Sequence, residues 1–244
     1  MPRFTLKHGK SNRTHLASLY AQAHGRSRQV DELRTVLNKE CGATQADLAG
    51  KSPKAESDHE IRGKPAGCVS LAPTGHPRQS VLVDMYSNSE FCLSPHGDVP
   101  MRAGVFDSLA ALCIPVFFAS CANRDLIYEI GHFPILPALH RTTFGVGTWA
   151  VLLNSTKVEQ RSGSLVASLS AINVSTRACL RANIARIWSR LLYREFNSTF
   201  NGPSVPDIYS HLVLSFLSRE SERESNGWKV LPAALAPPRL RRCA

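Results

Sequence analysis

Residues 91–118, FCLSPHGDVPMRAGVFDSLAALCIPVFF, constrain the fold of this chain more than any other segment. A short apolar run around residues 90–93 ends in the polar turn Pro95-His96-Gly97-Asp98. A helical stretch over 99–112 follows, with Met101, Val105, Leu109 and Leu112 on one face and Asp98 with Pro100 as its start signal. Ile114 to Phe118 is then continuously apolar, as a buried strand is, with Pro115 confined to its beginning. Strand, helix and strand in this order, with short unbroken apolar strands, point to an α/β layer fold on a mostly parallel sheet. In such folds ligands sit beyond the carboxyl ends of the strands, near helix N-termini.

The remaining chain is read by the same periodicities. Residues 2–7 form a candidate strand, followed by a polar turn containing Gly9, Ser11, Asn12 and Arg13. Val30, Leu33, Val36 and Leu37 have helical spacing within 27–40, and Gly42 is a stop. Residues 43–66 have no period and read as a flexible insertion. A short helix is expected over 78–87 and a strand over 142–153. The clearest helix is 173–194, with Val174, Cys179 or Leu180, Ile184, Ile187, Leu191 and Leu192 in one stripe. A further helix is expected over 206–219, and residues 221–244 read as a disordered tail behind a single domain, 1–220.

The 244 residues carry a net charge of +10, but the cations are scattered. Clusters occur only at Arg3, Lys7, Lys10 and Arg13, and at Arg239, Arg241 and Arg242. Aromatic residues do not interleave with them, so a small anionic ligand is a better expectation than nucleic acid. The longest apolar stretch, Leu109 to Ala119, is too short for a membrane segment and contains Pro115. The first residues lack the apolar core of a signal peptide. Seven cysteines include no C-x-x-C pair, so no metal site is expected. Cys92 and Cys113 read as plain core residues, and pairing of Cys41 with Cys68 is left open. Four sequons, at Asn12, Asn154, Asn173 and Asn197, suit a lumenal chain and conflict with the missing signal.

The turn and helix start after residue 93 can hold an anion. Free backbone N–H groups and the helix dipole favour phosphate there. Gly97 admits close approach and positive φ, Arg102 can fork two phosphate oxygens, and Asp107 can accept from ribose hydroxyls. Arg102 and Asp107 lie about 140° apart and ~7.5 Å along an ideal helix, so one extended ligand would have to bridge them. On spacing alone an ordinary helix start is the better reading: Asp98 as N-cap, Gly97 as turn residue, Arg102 and Asp107 solvated. His96 and His140 are lone loop histidines, and Asp98 has no visible carboxylate or nucleophile as partner. Gly145-Val146-Gly147 lacks the third glycine of a dinucleotide fingerprint.

The same segment resembles the hallmark of exostosin-like glycosyltransferases (glycosyltransferase family 47), closest to the plant and algal branch with the xyloglucan galactosyltransferases. The matching residues are Phe91, Cys92, Leu93, Pro95, Gly97, Asp98, Arg102, Phe106, Asp107, Ser108, Cys113, Ile114, Pro115, Val116, Phe117 and Phe118, without a gap. Weaker similarity runs through LRTVLNKEC, VLVDMYSNS and PDIYSHLVLSFLSR, covering residues 1–220. Three positions depart from the pattern: Leu112 stands where glycine is usual, His96 where a second proline is common, and Gly104 where a larger residue is.

The resemblance implies a two-lobed GT-B fold, of which this chain would supply the carboxyl-terminal, Rossmann-like lobe. It implies inverting, metal-independent transfer from a UDP-sugar co-substrate, with no cofactor, to a glycan acceptor held by an amino-terminal lobe that is missing here. It implies a Golgi enzyme. Carried over, Arg102 would bind the diphosphate and Asp107 the ribose. Pro95, His96, Gly97 and Asp98 would line the adjoining loop, and Arg13, in the loop after the first strand, would be a second phosphate ligand. The alternative is a non-catalytic remnant that keeps the fold without turnover.

Overall fold

The computed structural model describes residues 13–20, 28–42, 61–63, 67–71, 79–95, 103–119, 145–160, 164–191 and 243. Among these, seven strands form one sheet. Its centre is parallel and runs β3 (Cys68–Leu71), β1 (His15–Leu19), β4 (Ser89–Ser94), β5 (Ile114–Ala119), β7 (Val151–Asn154). Two short antiparallel strands close its edges, β2 (Ile61–Gly63) on β3 and β6 (Gly145–Val146) on β7. Helices α1 (Arg28–Glu40), α2 (Gln79–Ser87) and α3 (Ala103–Ala110) lie between the parallel strands in the chain. Helices α4 (Ser155–Gln160), α5 (Ser164–Ser170) and α6 (Val174–Leu191) follow β7. This is the expected Rossmann-like α/β architecture: a mostly parallel sheet flanked by helices.

Burial explains why these segments are strands. All six residues of β5 are buried, which is why the run reads as continuously apolar. In β4 the side chains alternate between two cores. Phe91 and Leu93 join the main cluster with Leu33, Leu37, Val105 and Leu109. Cys92 joins a second cluster with Val69, Leu71, Met85 and Tyr86. Each fully buried Leu or Phe contributes about 1.5–3 kcal/mol. Pro115 pairs in register with Cys92, while pairing with β7 begins only at Val116, so the proline precedes the doubly paired part of the strand.

Several expectations are corrected. The first described strand is His15–Leu19; the candidate strand over 2–7 lies outside the described residues, as do the 206–219 helix and the tail apart from Cys243. The segment HLASL is short and carries a histidine and a serine, so it lacks a clear apolar run, yet Ala17 and Leu19 are wholly buried at the sheet centre. Residues 61–63 are an edge strand rather than part of a structureless insertion. Residues 142–153 are not one strand: β6 and β7 form an antiparallel pair, closed by the Gly147 N–H donating to the Ala150 carbonyl at 2.8 Å. In α6, Leu180, Ile184 and Ile187 are buried as expected, but Val174 is 73% exposed. Helix α1 stops as expected, with Gly42 at φ 90° and its N–H on the Lys39 carbonyl.

The cysteines are not plain core residues. Cys92 is bridged to Cys113, Cys41 to Cys68, and Cys179 to Cys243, with Cα atoms 5.7, 4.5 and 5.6 Å apart. Parallel pairing puts Cys92 beside Pro115, so the residue just before β5 falls within bridging distance.

Candidate functional site

The strand order sets where a ligand can enter. From β1 the chain continues to β3 on one side of the sheet; from β4 it continues to β5 on the other. The connections therefore diverge between β1 and β4, the topological switch point at which open α/β sheets form a crevice beyond their carboxyl ends. Tyr20 leaves β1 there, half-buried against the second core cluster, and buried Pro95 leaves β4. Pro95 opens the hallmark loop, so that segment emerges at the crevice. His96, Gly97, Asp98 and Arg102 lie outside the described residues.

Helix α3 starts at Ala103 and returns the chain toward the amino ends of the strands. Val105 and Leu109 hold it to the main core, and it packs on α2, β5 and α6. Asp107, four residues in and ~6 Å along the axis, is half-buried, and its carboxylate has no hydrogen-bond or ion-pair partner among the described residues. Desolvation raises its carboxyl pKa above the usual aspartate value. Gly104 lies three residues before Asp107, and a Cβ there would meet the Tyr86 hydroxyl of α2 at 3.4 Å.

The helix ends in a two-bond C-cap. The Leu112 N–H donates to the Leu109 carbonyl at 3.1 Å and the Cys113 N–H to the Ser108 carbonyl at 2.9 Å. That geometry needs a left-handed residue between them, and Leu112 has φ 53°. Glycine is usual at this position in the resembling family because glycine adopts positive φ without a Cβ clash.

Arg13 lies at the opposite end of β4 from Pro95, the residue at which the hallmark loop begins. It precedes β1 and sits at the amino-terminal edge of the sheet, about one strand length (roughly 16 Å) from the carboxyl end of β4. Its guanidinium donates to the carbonyls of Tyr86 and Ser89, and to those of Ala111 at 2.9 Å and Leu112 at 3.1 Å. It thus joins the end of α2, the start of β4 and the carboxyl end of α3, where a cation also suits the helix dipole. Burial, reinforced by nearby Arg181 and opposed by Glu90, lowers its pKa to about 10, so it stays charged at neutral pH. Arg181 itself is paired with Glu90. This clamp was not legible in the sequence because its acceptors are backbone carbonyls from three elements up to 99 positions away.

Two of the four sequon asparagines are described. Asn154 ends β7 half-buried, and its Oδ1 accepts from the Lys157 N–H at 3.4 Å. Asn173 is exposed and caps α6, accepting from the Thr176 N–H at 2.8 Å. Asn12 and Asn197 lie outside the described residues. No group of three metal-ligating side chains occurs among the described residues, and no described helix is long and apolar enough to cross a membrane.

A mostly parallel α/β sheet flanked by helices, with its switch point between β1 and β4, defines a class, the Rossmann-like proteins. Residues 2–129 match the Exostosin GT47 domain. The chain belongs to the exostosin GT47 family, in its plant xyloglucan galactosyltransferase-like branch. It is 53% identical over 143 residues to a probable xyloglucan galactosyltransferase, GT13, of Arabidopsis thaliana, covering 57% of this chain and 27% of that protein. It is 30% identical over 116 residues to the xyloglucan galactosyltransferase MUR3 of the same plant, covering 48% and 17%. It is 28% identical over 144 residues to the xyloglucan-specific galacturonosyltransferase 1, covering 58% and 20%. The chain thus spans about a sixth to a quarter of the length of these curated relatives.

Proposed function

We propose that this chain supplies the nucleotide-sugar-binding part of a Golgi glycosyltransferase. The observation that carries the reading is the position of the hallmark segment: it leaves β4 at the switch point of the sheet in a chain of this family. A UDP-sugar lies across the crevice. Its diphosphate meets Arg102 and the N–H groups opening α3, with Pro95, His96, Gly97 and Asp98 in the loop beside it. The ribose hydroxyls donate to Asp107, whose carboxylate has no partner among the described residues and gains one from the ligand. Transfer is inverting and uses no metal: the UDP leaving group develops negative charge, which Arg102 and the helix start stabilise. A glycan acceptor is brought by a second lobe. UDP-galactose and xyloglucan are the first pair to assay, since galactosyl transfer to xyloglucan is what the names of GT13 and MUR3 state. The three disulfides support a lumenal, oxidising location. No observation favours a non-catalytic remnant.

Calorimetric titration with UDP and UDP-galactose tests the reading. Binding that weakens about tenfold or more in Arg102→Ala, the loss of one or two charge-assisted hydrogen bonds, is expected. Absence of UDP binding, or affinity indifferent to Arg102, refutes the donor site.

A further inference from the structure

Asn173 combines four observations. It is the first residue of an Asn-Val-Ser sequon, it is exposed, and it immediately precedes the long helix α6. Its Oδ1 takes the capping bonds, from the Thr176 N–H at 2.8 Å and from the Ser175 hydroxyl at 2.7 Å. These use the carbonyl oxygen of the amide and leave Nδ2 out of the cap. The next residue, Val174, is 73% exposed, the most exposed large apolar side chain among the described residues. Three disulfides suit an oxidising lumen, the compartment in which sequons are modified.

We propose that Asn173 carries an N-linked glycan and that Asn154 does not. The donor is a polyprenyl-diphosphate-linked oligosaccharide. A bond forms between Asn173 Nδ2 and the anomeric carbon, the anomeric C–O bond to the diphosphate breaks, the diphosphate leaves with the electron pair, and Nδ2 loses one proton. The product is still an amide, so Oδ1 continues to cap α6; modification and folding do not compete. The innermost sugars lie over Val174 and remove its apolar surface from water. At Asn154 the setting differs. That asparagine is half-buried at the end of β7, and Ser155, the middle residue of its sequon, is buried at 7% exposure. A glycan there would have to leave from a packed strand end.

The test is site mapping on the full chain, secreted from eukaryotic cells behind a cleavable leader. Peptide-N-glycosidase in heavy-oxygen water converts each occupied asparagine to labelled aspartate. Label at Asn173 and none at Asn154 is expected, with the label lost in Ser175→Ala, which retains the capping asparagine. An unlabelled Asn173 in secreted, disulfide-bonded protein overturns the proposal, whatever the state of Asn12 and Asn197. Equal labelling of Asn154 overturns the discrimination by burial.

Discussion

Replacing Arg13 separates a structural clamp from a phosphate ligand. In Arg13→Met, four carbonyls lose their donor. Those of Ala111 and Leu112 belong to half-exposed residues and regain water, whereas Tyr86 and Ser89 are buried. Two buried acceptors left unsatisfied cost about 1–3 kcal/mol each. Relief of the desolvated guanidinium offsets part of this, leaving a net loss of roughly 2–4 kcal/mol. Arg13→Lys keeps the charge but not the fork, and reaches fewer of the four carbonyls, so about half the loss is expected. Denaturant unfolding with the disulfides intact measures both variants, and UDP titration of the folded fraction measures binding. Affinity within twofold of the parent chain is expected, because the crevice lies a strand length away. A variant of unchanged stability that loses UDP affinity tenfold would refute the clamp and restore Arg13 to the ligand site.

Leu112→Gly should be more stable than Leu112→Ala by roughly 0.5–1 kcal/mol, because relief of left-handed strain, about 1–2 kcal/mol, exceeds the entropy cost of glycine. Gly104→Ala, in the first turn of the same helix and without a positive φ, should show the reverse order and gain roughly 0.5 kcal/mol, since its Cβ finds ordinary contact; equal rankings at the two sites in thermal melts would sink the φ reasoning. Asp107 has a folded-state pKa raised by desolvation above 3.8, so the folded form holds its proton to higher pH and stability falls as pH rises through that window. Asp107→Asn should abolish that fall while weakening UDP binding about tenfold; a variant that binds UDP normally removes Asp107 from the ribose. Loss of the Cys92–Cys113 bridge, which closes 21 positions of chain, should cost about 3 kcal/mol, read as a lower denaturation midpoint in the double alanine variant.

The hallmark segment was legible because its signals are local. Val105, Leu109 and the apolar run from Ile114 follow one another within a few turns of chain, and hydrophobic period acts over that range. The two apolar runs became β4 and β5, and the helical stretch became α3. Strands β1 and β3 were not legible: each is short, and residues such as Ser18 and Ser70 are buried only because neighbouring strands and helices cover them. Their place at the sheet centre depends on partners distant in sequence.

The candidate site divides the same way. Loop, helix start, Arg102 and Asp107 could be named from residue types at fixed offsets, and the exception at Leu112 could be named as a departure, though its positive φ could not. The sequence by itself determined a parallel α/β layer fold and the strand–helix–strand order of the hallmark segment, since both arise from patterns within one segment. Only the tertiary structure decided that Arg13 clamps the far edge of the sheet, that Cys92 and Cys113 are joined, and that Asn173 is exposed where Asn154 is half-buried. Each of those depends on which elements end up adjacent, and adjacency is set by the strand order, not by any single stretch of residues.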